Sequence, residues 1–174
     1  MEYVVLVDEQ NKELGVFPKA SVHTKTTPLH RGFSLFVFNH KKQLLLTRRA
    51  ETKKTFPGVW TNSVCGHPGQ GETVVEAAIR RLKDELGISN VDVTEVSPYR
   101  YTFADKNGIV ENEICPILTA VFDGDPIPEK REVNDWKWMD WEKFLTDIKI
   151  HPDIYSPWSR EEANIINSLH ILDR

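Results

Sequence analysis

Cys65, His67, Glu111 and Glu113 are the residues whose types first suggest chemistry. Cys65 and His67 stand two apart in Trp60-Thr61-Asn62-Ser63-Val64-Cys65-Gly66-His67-Pro68-Gly69-Gln70-Gly71-Glu72, which runs on into a helical pattern ending at Ile88. Glycine lets such a loop bend sharply and lets backbone N–H groups approach an anion. A helix that follows adds free donors and the positive end of its dipole. Loop and helix together suit a phosphate or a metal. Glu111 and Glu113 belong to Ile109 to Pro116, a segment read as a strand. Alternate strand residues share a face, so the two carboxylates stand side by side. Buried, they need a cation or a proton between them; a wet strand end is the simpler alternative. His23 and His30, seven apart in the polar stretch Ser21 to His30, offer two imidazoles, common metal ligands. Their spacing is not that of a zinc finger, and two ordinary loop histidines remain an open reading.

Cations are concentrated just before the loop, as Arg48-Arg49 and Lys53-Lys54, with Lys19 upstream and Arg81 downstream. By default such a run is a solvated patch. The whole chain is acidic, with a formal net charge of −4 and a pI of about 5.9. There is thus no general bias toward nucleic acid, and any anion site has to be local.

The elements that must position these groups are legible. Val75, Ala78, Ile79, Leu82 and Leu86 recur at helical spacing, and Gly87 stands where a C-terminal cap is wanted. On that helix Arg81 and Glu85 are four apart, with Asp84 beside them; solvated charges on a surface helix are the plain reading. Tyr3 to Val7 and Leu14 to Phe17 read as a hairpin, Phe33 to Asn39 and Leu44 to Arg48 as a second pair of strands, and Ser21 to His30 as a loop. An aromatic strand, Tyr99 to Phe103, precedes the turn Asp105 to Gly108. Pro116 to Phe122 and Trp136 to Met139 are further strands. Asp140 caps a helix through Phe144 and Leu145, and Ser156-Pro157-Trp158 opens a last one with Ile165, Ile166, Leu169 and Leu172 as its inward stripe. A chain of 174 residues suits a single domain over residues 1–174, of α+β class. No run reaches the length of a membrane span, and Met1-Glu2 with Tyr3 to Val7 does not read as a secretory signal. Two cysteines give no disulfide framework, so a reducing, cytoplasmic setting is expected.

From Gly66 the spacing resembles the Nudix box: five residues to Glu72, seven more to Arg80, then Leu82, Asp84, Glu85, Gly87 and Ile88 in the remaining slots. Arg81 and Asp84 stand where that family has glutamates. Arg81 puts a positive charge inside a carboxylate cluster, which opposes binding of several cations and favours a direct grip on a diphosphate. Trp60 to Pro68, Arg80-Arg81 and Glu111-Asn112-Glu113 resemble the type I isopentenyl-diphosphate isomerases, Nudix-fold enzymes that do not hydrolyse their substrate.

This resemblance runs from Lys19 to Trp158 and implies an α/β/α sandwich around a mixed, largely antiparallel sheet. The implied reaction is metal-dependent 1,3-allylic interconversion of two isomeric C5 diphosphates. Cys65 and Glu113 are the implied proton-handling pair, with Tyr101 hydrogen-bonded to Glu113. His23, His30, His67, Glu111 and Glu113 form the implied site for Mn²⁺ or Zn²⁺, a donor set suited to a borderline ion. Glu85 is the implied contact for a Mg²⁺ that travels with the diphosphate. Lys19, Arg49, Lys53 and Arg81 are the implied diphosphate ligands, and Trp158 the cover over the hydrocarbon end. A small diphosphate is the expected partner, with neither nucleic acid nor membrane involved and a monomer compatible. Two rivals are a Nudix pyrophosphohydrolase acting on a nucleotide-like diphosphate and a non-catalytic diphosphate-binding module.

Overall fold

The computed structural model describes residues 2–173. Its first hairpin joins β1 (Tyr3–Val7) to β2 (Glu13–Pro18) antiparallel, as the β-branched run and polar turn predict. The stretch expected as a loop is more ordered: it holds a short helix α1 (Lys19–Val22) and a two-residue strand β3 (His30–Arg31). Next come β4 (Phe33–Phe38), β5 (Gln43–Arg49), β6 (Trp60–Thr61) and β7 (Val64–Gly66). The box helix is α2 (Val74–Leu86). It is followed by β8 (Val93–Ser97), β9 (Arg100–Ala104), β10 (Val110–Ile114), β11 (Ile117–Val121), β12 (Val133–Asp140), α3 (Trp141–Ile150) and α4 (Pro157–Ser168).

The expected sandwich is present, with its strands divided between two mixed sheets. One runs β2-β1-β3-β10-β9; the other runs β12-β5-β4-β11-β8, with β6 paired to β5 and β7 to β4. β3–β10 and β4–β11 are parallel pairs; the other strand pairs among the described residues are antiparallel. The two sheets meet where two neighbouring chain segments cross from one to the other. β3 passes into β4 through Gly32, and beside it β10 passes into β11 through Cys115 and Pro116. Gly32 N donates to Ile114 O at 2.9 Å and Ser34 N to Pro116 O at 3.1 Å, which ties the two crossings together.

All six residues of β4 are buried because helices cover both faces of its sheet. On one side Leu35, Val37 and Leu118 pack with Ala78, Leu82 and Leu86 of α2. On the other, Phe36, Leu44 and Ile117 pack with Phe144 of α3 and Ile166 of α4. α2 begins with a complete capping box, Thr73 and Glu76 bonding each other's backbone N–H, and ends on Gly87 at φ +67°. Its inward stripe is rotated from the one the sequence suggests. Ile79 is 41% exposed, whereas Arg81 and Glu85 are buried, so the solvated reading of that pair fails.

Candidate active site

β10 carries Glu111 and Glu113 on its buried face, as its alternation requires. β3 brings His30 alongside in parallel register with Glu113, while the end of α1 and of β7 deliver His23 and His67. The three imidazoles lie with ring centroids 5.1–5.6 Å apart. One ligand atom from each of His23, His30, His67 and Glu113 falls within 4.8 Å of all the others. Glu113 Oε1 is 3.1 Å from His67 Nε2 and 3.5 Å from His30 Nε2. His30 Nδ1 must be the donor toward Pro28 O at 2.9 Å, since a carbonyl only accepts, so in the neutral ring the Nε2 lone pair is aimed into the cluster. His23 Nε2, His30 Nε2 and His67 Nδ1 are buried without a hydrogen-bond partner. Buried imidazole nitrogens without partners, beside a carboxylate, are what a divalent cation of borderline softness would satisfy, so the residues present fit a metal.

The electrostatics agree for His23 and His67; at His30 burial lowers the value but the Glu113 hydrogen bond and charge outweigh it and raise it. Burial holds His23 down to about 3 and His67 to about 4, so both are neutral, ligand-ready bases at pH 7. Burial pushes Glu113 up, but the facing His67 and His30 outweigh it and hold the carboxyl well below its ordinary value. Glu111 moves the other way, raised by burial and then by the neighbouring Glu113 charge.

Glu111 lies on the same strand face as Glu113, outside the four clustered ligand atoms. Its Oε1 accepts from Thr55 Oγ1 and its Oε2 from Tyr101 Oη at 3.0 Å, with Arg49 Nη2 4.0 Å away. Tyr101 therefore bonds Glu111 and not Glu113. It stands opposite Glu113 in the β9–β10 register, but its long ring reaches past that residue, whose carboxylate the histidines already engage.

Glu113, Tyr101, His23, His67 and Cys65 line one cavity of about 540 Å³. Gly32 makes room for it: a Cβ there would sit 1.9 Å from Glu113 Oε2. Cys65 comes from β7 in the other sheet, opposite Ser34 of β4. Its Sγ donates to Asn62 Oδ1 at 3.2 Å, and burial pushes the thiol up to about 12. Asn62 Oδ1 also accepts from Trp158 Nε1 at 3.2 Å and Thr61 Oγ1 at 2.8 Å, while its Nδ2 donates to Leu35 O and Val64 O. That amide is fully committed and fixes where the thiol points.

Trp158 is 1% exposed and does not line the cavity; it stacks behind Tyr101 and meets Phe56 edge-on. The cations expected to take a diphosphate do gather on the cavity wall: Lys19, Arg49, Lys53 and Arg81. Each is already engaged. Lys19 holds Glu2 at 2.6 Å, Lys53 holds Glu132 at 2.5 Å, and Arg49 donates to Thr55 O at 2.9 Å and Phe56 O at 3.2 Å. Arg81 lies 2.6 Å from Glu85 and 3.5 Å from Glu132. Glu85 thus sits behind Arg81 and lines a small adjoining pocket with Cys65, Arg49, Lys53 and Glu132. Burial raises its carboxyl, with Arg81 opposing. Asn62, Thr55 and Glu132 carry contacts that no motif in the sequence marks. Asn62 lies inside the Cys65 segment; Glu132 lies in a polar loop with no pattern of its own.

The NUDIX domain matches residues 28–159, which sets the class of protein that this fold and box helix define. Among curated relatives, the isopentenyl-diphosphate Delta-isomerase of Saccharopolyspora erythraea is 47% identical over 164 residues, 94% of this chain and 84% of that relative. The one from Salmonella arizonae is 46% identical over 172 residues, 98% and 94% of the two chains. The chain belongs to the isopentenyl-diphosphate Delta-isomerase family of NUDIX-domain proteins. Solved structures share the fold: a Deinococcus radiodurans protein matches with TM-score 0.77 at 20% identity over 94% of this chain and 98% of its own. A MutT protein from Methanosarcina mazei matches with TM-score 0.69 at 18% identity, over 83% and 96%.

Proposed function

We propose that residues 1–174 act as one catalytic domain that interconverts isopentenyl and dimethylallyl diphosphate. The observation that carries this reading is the placement of Cys65 and Glu113, from different sheets, on the wall of one cavity whose rim is cationic. Moving the double bond requires a proton added at the terminal alkene carbon and a different proton removed two carbons away. The developing charge rests on the tertiary carbon between them. Protons balance within a turnover, so the reaction needs a donor and an acceptor on two sides of the substrate and no water. Because the reaction runs both ways, each member of the Cys65 and Glu113 pair donates in one direction and accepts in the other.

Tyr101, raised well above its ordinary value by burial, stays a neutral donor and steadies Glu111 beside the pair. Trp158 now stacks on Tyr101, and its ring would stabilise a cation-like state, by roughly 1–2 kcal/mol when desolvated, once that face is uncovered to the cavity. Lys19, Arg49, Lys53 and Arg81 receive the diphosphate, which exchanges with Glu2 and Glu132 for the two lysines. A divalent ion held by His23, His30, His67 and Glu113, with Glu111 as the further candidate ligand, Mn²⁺ or Zn²⁺ by donor type, would supply positive charge that sharpens the acidity of groups around Glu113, as Mg²⁺, with Glu85 as its candidate contact, would neutralise the diphosphate. Two free cysteines, Cys65 and Cys115, suit the cytoplasm, and the allylic product suits isoprenoid biosynthesis.

Incubation with isopentenyl diphosphate and divalent cations in D₂O, followed by NMR, tests the reading. The expected result is deuterium in a dimethylallyl product with no phosphate released, and none of it from Cys65→Ala. Phosphate release without isomerisation overturns it in favour of a pyrophosphohydrolase, and full turnover by Cys65→Ala removes the role of the thiol.

A further inference from the structure

Glu132 puts a negative charge among the cations that await a diphosphate. One of its oxygens, Oε2, lies 2.5 Å from Lys53 Nζ and 3.5 Å from Arg81 Nη2. Those two cations reach it from distant parts of the chain, Lys53 from the loop after β5 and Arg81 from α2. The carboxylate oxygen thus stands where an oxygen of a bound phosphate would bridge a lysine and an arginine. The contact is only partly sealed: the Lys53 and Glu132 side chains are 25% and 26% exposed, and both line the main cavity. Arg81 has a second carboxylate, Glu85, at 2.6 Å, and in that pair both side chains are 9% exposed. The buried contact behind Arg81 fixes the guanidinium. The wetter contact in front of it is the one that an incoming anion can replace.

The backbone limits how far the displaced carboxylate can go. Glu132 N donates to Glu129 O at 2.9 Å, and Ala50 N donates to Glu132 O at 3.0 Å. The next residue, Val133, begins β12 opposite Arg49. Only the side chain is free to turn. It lines both the main cavity and the small pocket beside it, so a carboxylate turned off Lys53 stays close to whatever anion takes its place. An entering anion therefore meets two costs, the ion pairs it breaks and the like charge it leaves alongside. A single small anion exchanges one set of contacts with Lys53 and Arg81 for another. A diphosphate has further oxygens for Lys19 and Arg49 on the same wall, and those contacts outweigh the cost.

We propose that Glu132 is a specificity-determining residue of this site: as a tethered anion it occupies Lys53 and Arg81 in the resting protein, so that a diphosphate, with contacts beyond those two cations, binds, while orthophosphate and phosphate monoesters are held off. This deepens the reading above and rests on the diphosphate site assigned there.

Calorimetric titration of wild type and Glu132→Gln with pyrophosphate and with orthophosphate, at neutral pH with Mg²⁺ in excess, tests it. Glutamine keeps the size of the side chain and removes its charge. Both anions should bind the Gln variant about three- to ten-fold more tightly, the scale of one partly exposed ion pair and one like charge removed. In turnover the Gln variant should show a KM for isopentenyl diphosphate lowered by a similar factor, a kcat no higher than wild type, and inhibition by orthophosphate at correspondingly lower concentration. Orthophosphate bound no more tightly by the Gln variant than by wild type overturns the proposal. Weaker binding of both anions also overturns it and makes Glu132 a brace for Lys53 and Arg81 instead. The titrations need no turnover, so the two readings fail separately. Wild type that binds pyrophosphate with no gain in the Gln variant sinks this proposal alone, whereas pyrophosphate bound by neither protein sinks the diphosphate site and this proposal with it.

Discussion

Replacing Arg81 by methionine should destabilise the protein in a strongly pH-dependent way. Arg81 Nη2 and Nε lie 2.6 and 2.9 Å from Glu85 Oε1, with both residues under one tenth exposed. Removing one partner of such a buried pair ordinarily costs about 3–5 kcal/mol, because it strands a charge. Here the loss has a ceiling, since Glu85 can take up a proton instead. From its ordinary value of 4.5 to pH 7 is 2.5 units; at about 1.4 kcal/mol per unit that ceiling is about 3 kcal/mol. At pH 5 it falls below about 1 kcal/mol by the same reasoning. The sign follows from the direction of the shift. Glu85 is already raised in the fold, loss of Arg81 raises it further, and a group so raised weakens the fold progressively as pH climbs above 4.5. Urea denaturation of wild type and Arg81→Met at pH 5 and pH 7 reads this directly. Packing losses from the shorter side chain are the same at both pH values, so the difference isolates the charge. The double variant Arg81→Met with Glu85→Leu should return to within about 1 kcal/mol of wild type. An equal loss at both pH values, or a double variant as unstable as the single one, would refute the reasoning.

Two other outcomes are expected. His23 and His67 are neutral in the fold down to about 3 and about 4, against 6.5 when unfolded, so the metal-free protein should lose about 2 kcal/mol per imidazole between pH 6.5 and 5, partly offset by His30, whose value is raised. A urea midpoint that does not fall over that range, or a slope unchanged in His23→Gln, would contradict this. Tyr101→Phe should cost about 1 kcal/mol of stability for the bond to Glu111 and at least about ten-fold in kcat, with KM little changed. Wild-type kcat would exclude Tyr101 from proton handling.

Local pattern made much of the fold legible. The Gly87 cap, the Pro157 start and the alternation around Glu111 and Glu113 each act within a few residues, and each is found where the sequence puts it. What was not legible depends on contacts between distant segments. The periodicity of α2 buries Ile79 and leaves Arg81 wet; the Glu132 loop reverses this by supplying a second partner for the arginine. Tyr101 was assigned to Glu113 from the resemblance, and only the strand register with the histidine contacts redirects it to Glu111.

The crossing at Gly32 has a mechanical consequence. Glu113 and its histidine partner His30 are braced by one sheet and Cys65 by the other, so the gap between the two proton-handling groups is a dimension of the join and of neither sheet alone. Gly32 acts as the gauge that sets it, because its missing side chain is the space into which the Glu113 carboxyl fits. Mutations deep in either sheet can therefore change stability while leaving that gap intact. A single methyl group at the join changes the gap first, in a protein whose layers remain packed as before.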